Sequence, residues 1–159
     1  MSTDLLILLL MVVVVLAGSA LCSGVEAALL SVNPVRLHEL ASRSKPVAGA
    51  RTLARLRQRL GRTLSVLVIA NNAFNIFGSM MLGGYAAWVF QQHRFNEAAL
   101  PLFSVALTIL VILFGEILPK ALGTRLALPV ALSSAPVLHT LGVLMRPCLL
   151  YTSPSPRDS

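Results

Sequence analysis

The sequence has 159 residues, of which 56% are apolar and only 12% charged, and its mean hydropathy is +0.80. Soluble chains average about a quarter charged, so this composition excludes an ordinary water-soluble globule and a disordered chain alike. Thirteen Lys and Arg against six Asp and Glu leave a net charge of +7; on so apolar a chain this points to loops facing anionic lipid and away from a nucleic-acid surface.

The first apolar run extends from Leu5 to about Val32, with one charge, Glu26, near its end. A helix of roughly 20 residues crosses a hydrocarbon core about 30 Å thick, and this run exceeds that. Its start carries Asp4 and no Lys or Arg, unlike the basic opening of a cleaved leader. Cys22 follows Leu21, where a lipoprotein cleavage site wants a small residue. The run is therefore expected to stay as a membrane span.

Eight of the thirteen basic residues come next: Arg36, Arg43, Lys45, Arg51, Arg55, Arg57, Arg59 and Arg62. From Arg51 to Leu60 they alternate with Leu and Ala in good helix formers, a pattern suited to a helix lying at the headgroups. The same charges are compatible with a solvated loop that merely sets topology. The second apolar run, Leu64 to Phe90, has no charge, and the third, about Leu100 to Leu118, has only Glu116. The loop joining them holds Arg94 and Glu97. The excess of cations then places the basic loop and the chain after Lys120 in the cytoplasm, with the N-terminus and the loop Gln91 to Ala99 outside. A fourth stretch, Leu126 to Leu150, is interrupted by Pro129, Pro136 and Pro147 and contains His139 and Arg146. Proline removes a donor and kinks a helix, so a broken interfacial or re-entrant helical pair is expected there, with a fourth true span as the alternative. Backbone groups in lipid must pair internally, so the spans are read as helices, and no strand-like alternation argues otherwise.

Polar side chains inside spans are costly and tend to face a protein interior or a pathway. They occur here as three clusters. Ser19 and Ser23 are four residues apart in the first span, with Glu26 a turn further on; serines can equally bond back to their own helix. Asn71, Asn75 and Ser79 recur every four residues in the second span, beside Asn72, and such amides can also serve as interhelical glue. The third span ends Phe114-Gly115-Glu116-Ile117-Leu118-Pro119-Lys120. Pro119 cannot donate to the Gly115 carbonyl four residues back and should distort that turn. The freed carbonyl and Glu116 can supply oxygen ligands; Lys120 can instead neutralise Glu116. Hydroxyl, amide, carboxylate and backbone oxygens suit a hard cation such as Mg²⁺, Na⁺ or Ca²⁺ and disfavour zinc or copper. The two cysteines, Cys22 and Cys148, form no disulfide framework and no CxxC pair.

At these residues the sequence resembles the transmembrane domain of the CNNM/CorC family of magnesium transporters, also described as haemolysin-like. Cys22-Ser23-Gly24-Val25-Glu26-Ala27-Ala28-Leu29 is similar to the family segment F-S-x-x-E-T-A-L, with Cys22 for Phe and Ala27 for Thr. Ile69-Ala70-Asn71-Asn72-Ala73-Phe74-Asn75-Ile76 is similar to I-G-N-N-L-x-N-I, with Ala70 for Gly. Gly115-Glu116-Ile117-Leu118-Pro119-Lys120 matches G-E-x-x-P-K. The resemblance implies an all-α membrane protein, a homodimer whose subunits each have three transmembrane helices (about 5–32, 64–90 and 100–118) plus a juxtamembrane helical belt (about 36–62 and 124–147). It also implies cation coordination by Ser23, Asn71, Asn75 and Glu116, with Ser19 and backbone near Gly115 as additions. Family members carry a cytoplasmic CBS pair that binds ATP and a CorC domain; these 159 residues hold neither, so ATP enters only through those absent domains. Residues 148–159 do not continue the belt. They resemble the translation of a sequencing-library adapter and are read as a non-native tail appended to a 1–147 domain, with a genuine disordered tail as the alternative.

The expected function is movement of a divalent cation across the cell membrane, Mg²⁺ efflux with Na⁺ as candidate coupling ion. The rival is a cation-sensing or scaffold domain that binds the ion without moving it and regulates attached cytoplasmic domains. An enzyme is not expected: no HExxH, glycine-rich phosphate loop or Ser-His-Asp order occurs. The expected partners are the bilayer, a second copy and the metal cation, with no nucleic acid.

Overall fold

The computed structural model describes residues 3–145. Every element among them is helical: α1 (Thr3–Ser31), α2 (Pro34–Ser42), α3 (Ala50–Gln58), α4 (Leu60–Gln92), α5 (Ala99–Leu110), a π-helical segment (Val111–Ile117), α6 (Leu118–Arg125) and α7 (Ala127–Leu144). The α5, π and α6 segments form one continuous rod, Ala99–Arg125. The three expected spans thus appear as α1, α4 and this third rod, in an all-α membrane protein. The fourth stretch differs from expectation. It is one helix, α7, and it too is long and apolar enough to cross a membrane. Pro129 falls in its first turn, where a missing N–H costs little. Pro136 lies inside it, and the Leu132 carbonyl that Pro136 cannot reach faces Gly49, the residue that opens α3. Gly49 has φ +81°, and a Cβ there would come within 2.6 Å of the Leu132 oxygen. Only glycine suits both that backbone and that approach.

α1 is the centre of the assembly and runs antiparallel to α4. Near one end, Leu8 and Val12 pack on Leu82 and Ala86, backed by Phe90, Phe103 and Leu107. Phe90 meets Phe103 edge-on at 5.5 Å and Phe95 at 5.2 Å, which fixes the α4–α5 turn. Asp4 and His93 close the same end at 3.4 Å. At the other end Ala28, Leu29 and Val32 join Leu37, Leu53, Leu67, Ala131, Ala135 and Leu138. All the buried residues of α7 belong to this cluster, so α2, α3 and α7 gather around the last turn of α1.

The junction after that turn is capped on both sides, at the start of α2 and at the end of α1. Asn33 accepts from Val35 N at 2.9 Å and Arg36 N at 3.4 Å, with Pro34 in the first turn of α2, a regular N-terminal device. Arg57 reaches back from α3 to donate to the Leu29 and Val32 carbonyls, satisfying the carboxyl end of α1 and complementing its dipole. Arg57 thus serves a structural bond in addition to the loop's overall charge.

Glycines set the spacing of the rods. A Cβ on Gly123 would strike the Gly24 carbonyl, and a Cβ on Gly18 would strike the Phe74 ring. Small residues permit such backbone approach, which replaces the hydrophobic drive that lipid removes. Gly123→Ala is therefore expected to destabilise by about 1–3 kcal/mol, the range for overpacking, while Gly142→Ala, with nothing within 4 Å of its Cβ, is neutral or stabilising. Thermal unfolding in detergent checks the pair; equal melting temperatures would show that the α1–α6 contact can relax.

Candidate cation site

Halfway along α1 the apolar packing gives way to a polar seam. Ser19 is fully buried, and its Oγ lies 3.1 Å from Asn71 Oδ1 on α4 and 3.4 Å from the Gly115 carbonyl oxygen in the π segment. A hydroxyl has one proton to give, so it serves these two acceptors in alternation. Oxygens from all three rods therefore meet at one hydroxyl.

The π segment explains why the Gly115 oxygen is there. The Leu118 N–H bonds to the Leu113 carbonyl, five residues back, and Pro119 has no N–H with which to continue the ladder. π segments of this kind are rare and recur at functional sites. The distortion expected at Pro119 is thus spread over Val111–Ile117. Gly115 itself is buried, and a Cβ there would sit 3.1 Å from Ser19 Oγ. Any larger side chain would intrude between the first and third rods.

Ser23 Oγ and Asn75 Oδ1 are buried without a hydrogen-bond partner among the described residues. Because α1 and α4 are antiparallel, with Gly18 beside Phe74 and Gly78 beside Val15, Ser23 and Asn75 lie about a turn to either side of the Ser19–Asn71 bond. Their backbones are separated by roughly 9 Å of helix axis. Side chains lean toward their own helix N-terminus, so both lean back toward that bond. Glu116 is half-buried next to Gly115 and forms no ion pair with Lys120 or any other described residue. Ser19, Asn71 and Gly115 are in direct contact; Ser23, Asn75 and Glu116 flank them.

The four-residue repeat in α4 breaks down at its far end. Asn71 and Asn75 are half-buried against α1, whereas Ser79 and Asn72 are exposed. A spacing of four overshoots the 3.6-residue turn by about 40° per step, so two steps carry Ser79 off the seam. Met80 and Met81 are exposed as well, and Trp88, half-exposed, rests against Tyr85 at 5.6 Å.

The fold and this seam define a multi-pass α-helical membrane domain with a buried polar junction among three rods. The chain belongs to the CNNM family, described as the cyclin M transmembrane N-terminal domain, which it matches over residues 9–154. It is 40% identical over 134 residues to the UPF0053 protein sll1254 of Synechocystis sp., covering 84% of this chain and 37% of that one. It is 29% identical over 129 residues to the UPF0053 inner membrane protein YfjD of Escherichia coli, covering 81% and 28%. A UPF0053 protein of Haemophilus influenzae is 30% identical over 140 residues, covering 88% and 32%. The chain therefore spans about a third of the length of the curated relatives it matches. The family match runs past the expected boundary at 147; the segment 148–159 lies outside the described residues.

Ser19→Ala removes the one hydroxyl that joins the three rods. It is expected to lower unfolding free energy by about 0.6 kcal/mol, the mean for such bonds in lipid. Ser23→Ala, which deletes an unpartnered buried oxygen, should be neutral or stabilising. Reversible unfolding in mixed micelles distinguishes them, and a larger loss for Ser23→Ala would mean that its hydroxyl has a partner in the folded protein.

Proposed function

We propose that this chain is a membrane transport domain for a divalent cation, and that the cation is Mg²⁺ moved outward with Na⁺ as the coupling ion. The observation that carries the reading is the meeting of Ser19 Oγ, Asn71 Oδ1 and the Gly115 carbonyl, at separations of 3.1 and 3.4 Å. Adjacent ligand oxygens of an octahedral Mg²⁺ with bonds of 2.0–2.1 Å stand about 3 Å apart, and the longer bonds of Ca²⁺ widen this to roughly 3.3–3.7 Å. The seam thus needs little rearrangement to take a hard cation. Ser23 and Asn75 contribute two further oxygens with no bond to lose, and Glu116 contributes the negative charge. One carboxylate leaves a divalent ion under-neutralised, which fits release and turnover better than storage.

In this reading the basic belt and the chain after Lys120 are cytoplasmic and the N-terminus is outside, following the charge distribution. The relatives' greater length supports further domains beyond this one, through which ATP would act as a regulator. The working unit is a homodimer. Its supporting observation is the outer face of α4, where Asn72 and Ser79 are exposed among Ile76, Phe77 and Met80. Amide and hydroxyl groups facing lipid are costly, and a second α4 would cover them.

Two measurements test this. Glu116→Gln is expected to weaken Mg²⁺ binding at least tenfold by calorimetry, and to stop Mg²⁺ flux from proteoliposomes of the whole transporter followed with a fluorescent indicator; undiminished flux would overturn the assignment. Binding without flux in the unmutated protein would favour the sensing role. Ser79→Cys, with Cys22 and Cys148 replaced, is expected to give an oxidative dimer in membranes, and a purely monomeric product would remove α4 from the interface.

A further inference from the structure

A second polar feature lies away from the cation seam, at the belt end where α3, α4 and α7 converge. A cavity of about 380 Å³ is bounded there by Thr52, Arg55, Arg59, Arg62 and His139, with Leu56, Val66, Leu138 and Val143 forming its apolar wall. Its volume is at the lower end of the range for small-ligand pockets, about 300–1,000 Å³. Among the described residues, three guanidinium groups line it and no carboxylate does. None of the three has an ion-pair partner among the described residues.

The most telling atom is Nη2 of Arg62. It is buried and has no hydrogen-bond acceptor among the described residues. Guanidinium groups are held out of water where an anion or a carbonyl receives them, as Arg57 is received by the end of α1. Nη2 of Arg62 has no such carbonyl among the described residues. The two hydroxyls nearest to it in sequence donate to backbone carbonyls, Thr63 to Leu56 and Arg59 at 3.1 and 3.2 Å and Ser65 to Gly61 at 3.0 Å, and neither accepts from Nη2. The Thr63 bonds hold the junction between α3 and α4 in the shape that turns Arg55, Arg59 and Arg62 toward one space.

We infer that this cavity is a binding site for a phosphate group, and specifically for the phosphodiester headgroup of an anionic lipid. The planar fork of arginine matches phosphate oxygens in pairs. The choice of a lipid over free phosphate rests on the apolar wall. Val66 and Leu138 are 2% and 3% exposed while Val143 stays 52% exposed, so the cationic floor continues directly into a hydrocarbon surface. An amphiphile satisfies both surfaces. The position agrees, because Arg62 stands two residues before the apolar run that begins at Leu64. The lipid would act as a strut between the belt helices and α4, independently of whether the seam at Ser19 carries an ion.

The test uses the whole chain, delipidated in neutral detergent and free of divalent cations, so that it does not depend on the cation reading. Retention of short-chain phosphatidylglycerol and phosphatidylcholine is compared by native mass spectrometry, and inorganic phosphate is titrated in parallel. The anionic lipid is expected to be retained at least tenfold better than the zwitterionic one. Arg59→Gln with Arg62→Gln should abolish that preference, and Arg36→Gln with Arg51→Gln, which removes the same charge outside the cavity, should leave it unchanged. Equal retention by the cavity variant and the unmodified chain, or equal losses in both double variants, overturns the site. Inorganic phosphate binding as tightly as the lipid, with the same dependence on Arg59 and Arg62, keeps the phosphate site and overturns the lipid as its source. Should the double variant not fold, Arg55→Gln alone decides, since Arg55 is exposed and its replacement is tolerated: a several-fold drop in anionic-lipid retention supports the site, and no drop overturns it.

Discussion

Pro119 has no proton to give, and the third rod is arranged around that deficit. A helix in lipid has no water with which to satisfy a carbonyl left open. Here the deficit is met partly by widening the helix over Val111–Ile117 and partly by a hydroxyl from another rod, Ser19, offered to Gly115. That borrowed bond joins the third rod to α1, and through Asn71 joins both to α4. Remove the proline and the Gly115 carbonyl would be claimed within its own helix, leaving Ser19 to Asn71 alone.

The same junction needs close backbones. Gly115 brings the π segment onto Ser19, and Gly24 lies against Gly123 two turns further along. The polar and steric requirements therefore act together along the middle of α1. Bulk at Gly18, Ser19 or Gly24 would separate the rods and leave the polar groups of all three without each other. A cation taking the place of these hydrogen bonds would meet a frame already held at about the right spacing.

Much of this was readable from residues alone. The apolar runs, with at most one charge each, marked three rods, and the position of Pro119 relative to Gly115 foretold a weakened turn. Ser19 and Asn71 were marked by their cost in lipid. Other features depended on angles and on contacts between distant segments. Ser79 left the seam because a period of four drifts against a turn of 3.6 residues. That the carbonyl freed by Pro136 in α7 lies against Gly49, some ninety residues earlier, emerged only from packing. Arg57 and Arg62 looked like any other members of a basic stretch, and only the fold separated the one that caps α1 from the one whose buried nitrogen lacks an acceptor. Gly123 carried no polar signal, and its close contact with Gly24 emerged only from packing.

Arg57 makes the membrane rod and the surface helices mechanically a single piece. Shifting α3 away from α1 would strand two carbonyls and a cation in the same movement, so α3 behaves as a tiller fixed to the end of a mast. A tilt of α1 about its crowded middle would be amplified along that arm.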